Sequence, residues 1–231
     1  MNKIAQMSER ERADVFAETA ERKALAETII EKDFWVCWTL KQLFSIDALA
    51  GRLLFKGGTS LSKIFHAINR FSEDIDLAVD YVALGFTGEK DPRKEELSKT
   101  KRAAILEEMM VACREYIGGE CLEVVNERCE EILGAGGKWS LEVSKKDPNA
   151  VEFHYPPATT KSLPYIAPQV VLELGTHAEF VPIDLRALSP LKWQHINPYG
   201  TFILNMHERI PLGGPKFSSQ GTWPKFRASL G

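Results

Sequence analysis

The chain has 231 residues, of which 44% are hydrophobic and 26% charged, with a formal net charge of −3. That length supports one large domain or two small ones with ample core, and the balance is that of an ordinary globular protein. Near-neutral charge excludes a broadly basic surface, leaving only a local basic groove; no apolar run reaches membrane-spanning length; the polar start MNKIAQMSERERADVF reads as no secretory signal, so a reducing cytoplasm is the expected compartment.

Residues 8–28 read as a helix rich in Ala, Glu, Arg and Lys, with Ser8 as N-cap and Glu11 in the capping-box position. Residues 29–44 are more apolar, and Phe34, Trp35, Trp38, Leu40 and Leu43 predict a core helix that buries one broad face on a sheet. A short strand, residues 52–55, then leads into Gly57 and Gly58. Leu61, Ile64, Phe65 and Ile68 follow i, i+3, i+4, i+7 spacing, the pattern of a short amphipathic helix. In the next stretch, Ser72-Glu73-Asp74-Ile75-Asp76-Leu77-Ala78-Val79, a strand sets Asp74 and Asp76 on one face about 7 Å apart and turns Ile75 and Leu77 to the core.

Two carboxylates aimed at one point repel, and the usual remedy is a divalent cation such as Mg²⁺ (or Mn²⁺), which takes one or two carboxylates together with substrate phosphates. Glycines such as Gly57 and Gly58 let backbone N–H groups approach a phosphate, and a helix N-terminus favours the anion. Thr59 and Ser60 have hydroxyls suited to capping or donation, and Lys63 lies one turn further along. Singly, a Gly-Gly pair is a tight turn and Asp-x-Asp a solvated edge. In one strand–turn–helix–strand unit they point to a nucleotide and metal site.

The charged stretch after Gly85 reads as a solvated loop. Residues 93–117 and 120–133 read as helices broken by Gly118-Gly119 and ended by residues 134–137. Cys37, Cys113, Cys121 and Cys129 show no CxxC spacing, and the last three fall in this helical pattern, as small core residues rather than zinc ligands do. From Lys138 onward the pattern turns to β: residues 139–143, 151–155 and 169–174 are strand-like, with a hairpin turn at 145–149 and Pro-marked loops at 156–157 and 164–168. Glu173 interrupts an apolar strand, so it either lies exposed at an edge or joins the acids of the site. The expected fold class is α/β (α+β), a small mixed sheet carrying Asp74, Asp76 and Glu173 on neighbouring strands and flanked by helices.

Gly-Gly-Thr, about a dozen residues and then Asp-x-Asp resembles the signature of the nucleotidyltransferase superfamily. Lys56-Gly57-Gly58-Thr59-Ser60-Leu61-Ser62-Lys63 with Arg70-Phe71-Ser72-Glu73-Asp74-Ile75-Asp76-Leu77 resembles the AbiEii/AbiGii toxin family, nucleotidyltransferases of toxin–antitoxin and phage-abortive systems. Glu31-Lys32-Asp33-Phe34-Trp35-Val36 and the stretch 165–175 resemble that family too. The resemblance implies a nucleotidyltransferase core over residues 51–200, a helical region over 1–50 and a divergent or disordered tail over 201–231. It implies a positioning role for Glu31-Lys32-Asp33 and a third acid at Glu173. Asp74, Asp76 and Glu173 would then bind the metal and, with Lys63, act in catalysis. Gly57, Gly58, Thr59, Ser60, Lys63 and Ser72 would bind the NTP. The implied activity is transfer of a nucleoside monophosphate to an RNA acceptor, tRNA in some members, opposed by a cognate antitoxin. After Gly200-Thr201-Phe202 this sequence reads Ile203-Leu204-Asn205 where the family continues with a Glu-Lys helix. The alternative expectation is therefore a catalytically impaired remnant that binds nucleotide or antitoxin, and an antibiotic-modifying transferase is a third.

Overall fold

A computed structural model describes residues 1–57, 59–60, 74–159, 163 and 166–176. Its centre is a five-stranded mixed sheet of β1 (Leu53–Phe55), β2 (Asp74–Val79), β3 (Ser140–Val143), β4 (Ala150–His154) and β5 (Gln169–Gly175), in the spatial order β1-β2-β5-β4-β3. β2 and β5 run parallel at its middle and the other pairings are antiparallel. The fold is the mixed sheet flanked by helices that the sequence predicts.

Period-2 alternation divides the sheet into two chemically different faces. Ile75, Leu77, Val79, Val151, Phe153, Val170, Leu172 and Leu174 are all 4% exposed or less and make one face. The register places Asp74, Asp76, Glu152 and Glu173 on the other, with Ala150 and Val171 between them.

The apolar face is covered by α3 (Glu27–Leu43), which follows α1 (Asn2–Ala5) and α2 (Glu9–Lys23). Trp35 stacks on Tyr155 at 5.4 Å and Trp38 on Phe153 at 5.6 Å between ring centroids, so two large aromatic pairs fix the helix to β4 and its end. The expectation of one broad buried face on α3 is too narrow: fourteen of its seventeen residues are buried, because α2 packs on it as well as the sheet. Ser8 and Glu11 form the predicted capping box on α2. That helix ends at Ala24, which adopts left-handed φ (52°), rather than running on to residue 28.

Buried charges on α3 tie down the β4–β5 connection. Glu31 accepts hydrogen bonds from the Ala158 N–H (2.6 Å), the Thr159 N–H (3.1 Å) and the Thr159 hydroxyl. Lys32 donates to the Ala167 carbonyl at 3.2 Å. Both are only 2% exposed, and such groups persist in a core only when paired. Arg12, 4% exposed, donates to the Met7 carbonyl at 2.6 Å and the Pro156 carbonyl at 3.1 Å.

Between β2 and β3 lie α4 (Lys99–Tyr116) and α5 (Leu122–Leu133). α4 begins six residues later than the pattern suggests, where the Ser98 hydroxyl accepts from the Lys101 N–H at 3.2 Å. The predicted break at Gly118-Gly119 is present: within Ile117–Cys121 the chain kinks between the two helices, and Gly119 leaves helical dihedrals (φ −107°, ψ −110°). Cys37, Cys113, Cys121 and Cys129 are all buried thiols, and burial raises the last three to about 11, 12 and 12 respectively. None of the described helices is long and apolar enough to cross a membrane.

Candidate active site

Gly57 has a left-handed φ of 72° that only glycine adopts without strain. It also stands so close to β2 that a Cβ there would lie 1.9 Å from Asp76 Oδ2 and 2.4 Å from Asp76 Cγ. The turn and the carboxylate are therefore built against each other. The Lys56 N–H donates to the Asp76 carbonyl at 2.9 Å, extending the β1–β2 ladder up to the glycine. The Thr59 hydroxyl donates to the Asp74 carbonyl, and the Ser60 hydroxyl to the Gly57 carbonyl at 2.8 Å. Thr59 and Ser60 are 0% and 4% exposed. The Thr59 hydroxyl fastens the turn to the strand of the two aspartates, and the Ser60 hydroxyl closes the turn on itself. Gly58, Lys63 and Ser72 lie outside the described residues.

Asp76 is the register partner of Glu173, and Asp74 of Val171. Partners on neighbouring strands are about 4.8 Å apart and point to the same face, so Asp74 and Glu173, on the diagonal, are about 8 Å apart at Cα. Asp74 and Glu173 are exposed and Asp76 half-buried. β5 is an inner strand, so the exposure of Glu173 comes from the open polar face and not from an edge.

The Glu173 carboxyl is held above the ordinary carboxylate range, first by burial, then by the charges of Asp76, Asp74 and Asp147; Lys56 opposes the shift. Carboxylates whose charges oppose one another in one cleft are the donor set that a hard divalent cation neutralises, so these residues fit Mg²⁺ or Mn²⁺.

The cleft beside them has a volume of ≈ 240 Å³ and is lined by Lys56, Asp76, Asp147, Asn149, Glu173 and Thr176 among others. Lys56, Asp147, Asn149 and Thr176 are not among the residues singled out from the sequence. Lys56 carried a signal, a cation directly before the glycines. Asp147 read only as a turn residue, and its approach to Glu173 is set by tertiary packing.

A second group shares the polar face. Donor atoms of Glu142, Glu152 and His154 lie within 4.8 Å of one another. His154 Nε2 is 3.3 Å from Glu152 Oε2 and 3.7 Å from Glu142 Oε1, and the Ser144 hydroxyl donates to Glu152 Oε1 at 2.6 Å.

A family model described as the nucleotidyl transferase AbiEii toxin of a type IV toxin–antitoxin system matches residues 38–207, well over half of the chain. The chain belongs to this family. No curated protein and no solved structure matches it. The AbiEii match covers Gly57, both aspartates of β2 and Glu173, so the site stands inside the family's own segment.

Proposed function

We propose that this AbiEii-family chain transfers a nucleoside monophosphate from an NTP to an RNA acceptor in the cytoplasm, as a toxin countered by a cognate antitoxin. The observation that carries the reading is the joint construction of the Gly57 turn, Asp76 and Glu173: a phosphate-type turn in contact with one acid, whose register partner is another.

Asp74, Asp76 and Glu173 would hold Mg²⁺ or Mn²⁺, which when bound supplies Lewis-acid stabilisation of charge on the phosphates. Gly57, Gly58, Thr59 and Ser60 hold the β- and γ-phosphates through backbone N–H groups, since the hydroxyls of Thr59 and Ser60 are engaged with the chain itself. Lys63 neutralises charge that builds on the departing pyrophosphate, and Ser72 orients the phosphates beside the aspartates. Glu173 hydrogen-bonds the acceptor hydroxyl and takes its proton as the oxygen attacks the α-phosphorus. Turn, acids and acceptor then meet in one cleft, and positioning supplies much of the rate.

Incubation with labelled NTPs, Mg²⁺ and total RNA tests this. Label on RNA is the expected result. Nucleotide binding without transfer would instead mark an impaired remnant, and label on an aminoglycoside alone would mark an antibiotic-modifying transferase.

A further inference from the structure

The polar face of the sheet carries a second set of donors, away from the acids of β2 and β5. In the β3–β4 pairing Glu142 stands directly opposite Glu152, and His154 lies two residues further along β4 on the same face. Glu152 is the register partner of Val171, and Val171 of Asp74. Two strand spacings, about 10 Å, separate the Glu152 and Asp74 backbones, so the two sets of donors are distinct. β3 is the edge of the sheet, and Glu142 is exposed, which leaves the second set open to solvent.

Like charges directly opposite on neighbouring strands are destabilising. Among the described residues only His154 comes within ion-pair distance of Glu142 or Glu152. Something positive must hold the three groups together, either a proton on the imidazole or a metal ion. The spacing separates the two. His154 Nε2 is 3.3 Å from Glu152 Oε2 and 3.7 Å from Glu142 Oε1. Both exceed the roughly 2.7–2.9 Å of a charge-assisted hydrogen bond. They match the edge of a tetrahedron around an ion whose bonds to nitrogen and oxygen are about 2.0–2.2 Å, which spaces its ligand atoms about 3.4 Å apart. All three donor atoms lie within 4.8 Å of one another, and the exposed Glu142 side chain is free to close the widest gap.

The carboxylate of Glu152 is also aimed. Ser144, 8% exposed, donates its hydroxyl to Glu152 Oε1 at 2.6 Å, and the same oxygen accepts from the Lys146 N–H at 3.2 Å. Oε1 is thereby tied to the start of the hairpin turn and Oε2 is left toward His154. A ligating side chain held in this way by a neighbour from outside the donor set is the usual construction of a metal centre.

We propose that Glu142, Glu152 and His154 form a binding site for a divalent transition ion of the zinc class. The imidazole selects against Mg²⁺, which takes oxygen ligands and water, and in favour of zinc and its neighbours. Three protein ligands leave the fourth position of the ion to water. The ion cancels the charge of the opposed glutamates and staples β3 to β4 beside the hairpin turn.

The test titrates Zn²⁺ into the full chain by calorimetry, in a background of Mg²⁺ that fills the acid cleft, and records melting curves beside it. One zinc should bind at this site and raise the wild-type Tm. His154→Ala and Glu142→Gln should each weaken that event by at least about tenfold and abolish most of the rise in Tm. Ser144→Ala, which leaves all three ligands in place, should weaken it by about tenfold, and Ser144→Thr should restore it. With Co²⁺ in place of Zn²⁺, the visible spectrum of a tetrahedral centre should be present in wild type and absent in His154→Ala. Glu142 is exposed, so its variant keeps a readout if His154→Ala folds poorly. A chain that binds no Zn²⁺, or whose binding is unchanged by His154→Ala and Glu142→Gln, would overturn the site and leave a protonated histidine between two glutamates. None of these readouts depends on transfer to RNA, so the site and the transferase reading stand or fall separately.

Discussion

Gly57→Ala isolates the contact on which the site is built. The new Cβ would stand 1.9 Å from Asp76 Oδ2, 2.4 Å from Cγ and 2.7 Å from Cβ, on a residue with φ of 72°. The left-handed backbone alone costs a non-glycine residue roughly 1–2 kcal/mol. Forcing atoms into a packed position adds roughly 1–3 kcal/mol, here against a residue held in mid-strand between β1 and β5. The total of about 2–5 kcal/mol is a large part of the ~5–15 kcal/mol that holds a domain together, and lowers Tm by roughly 4–20 °C. The assay is urea unfolding followed by circular dichroism in metal-free buffer, with a double-mutant cycle. Asp76→Ala deletes Oδ2 and Cγ and leaves only the 2.7 Å contact. Gly57→Ala should therefore cost about 1–2 kcal/mol less in the Asp76→Ala background than in wild type. Equal costs in the two backgrounds, or a Gly57→Ala variant that unfolds like wild type, would show that the turn and the carboxylate are not in contact.

Glu173→Gln tests the field of the cleft. Because the folded carboxyl is held above its ordinary value of 4.5, the stability it contributes is complete below that value and is lost as pH rises through the raised one. Without metal, the variant should lose less Tm than wild type between about pH 4 and about pH 8, and Mg²⁺ should raise the wild-type Tm more than the variant's. Identical pH profiles would remove the electrostatic argument. Glu31→Ala should cost about 3 kcal/mol, since it strands the Ala158 and Thr159 N–H groups; a urea midpoint within error of wild type would contradict the clamp.

The sheet was readable because strands that are buried on one side alternate, and Ile75 and Leu77 flank Asp76 in that rhythm. The acids of β2 were readable for the same reason: a one-residue slip would bury them. Glu173 was readable as an anomaly in an apolar run, but only its register opposite Asp76 gives it a partner. Other features depend on residues far away in the chain. For Glu31 and Lys32 the sequence offered a positioning role through the family resemblance but no partners, and those partners lie beyond residue 157. Asp147 is an ordinary turn residue until Arg114 and Leu174 fasten its neighbour Asn149 beside β5. Gly118-Gly119 was readable as a break because glycine's low helix propensity is a local property, and Gly119 does leave helical dihedrals between the two helices.

The central claim is that the carboxylates of β2 and β5 serve phosphoryl chemistry and are not scaffold. Asp76→Asn keeps the shape of the side chain and removes one charge from the face shared with Glu173. The decisive measurement is the rate of label transfer from NTP to RNA by this variant, beside its melting curve with and without Mg²⁺. The account predicts a fold that melts at or above the wild-type temperature without metal, a smaller Mg²⁺-induced rise, and transfer reduced by at least about a hundredfold. A variant that melts well below wild type without metal yet labels RNA at the wild-type rate would contradict it.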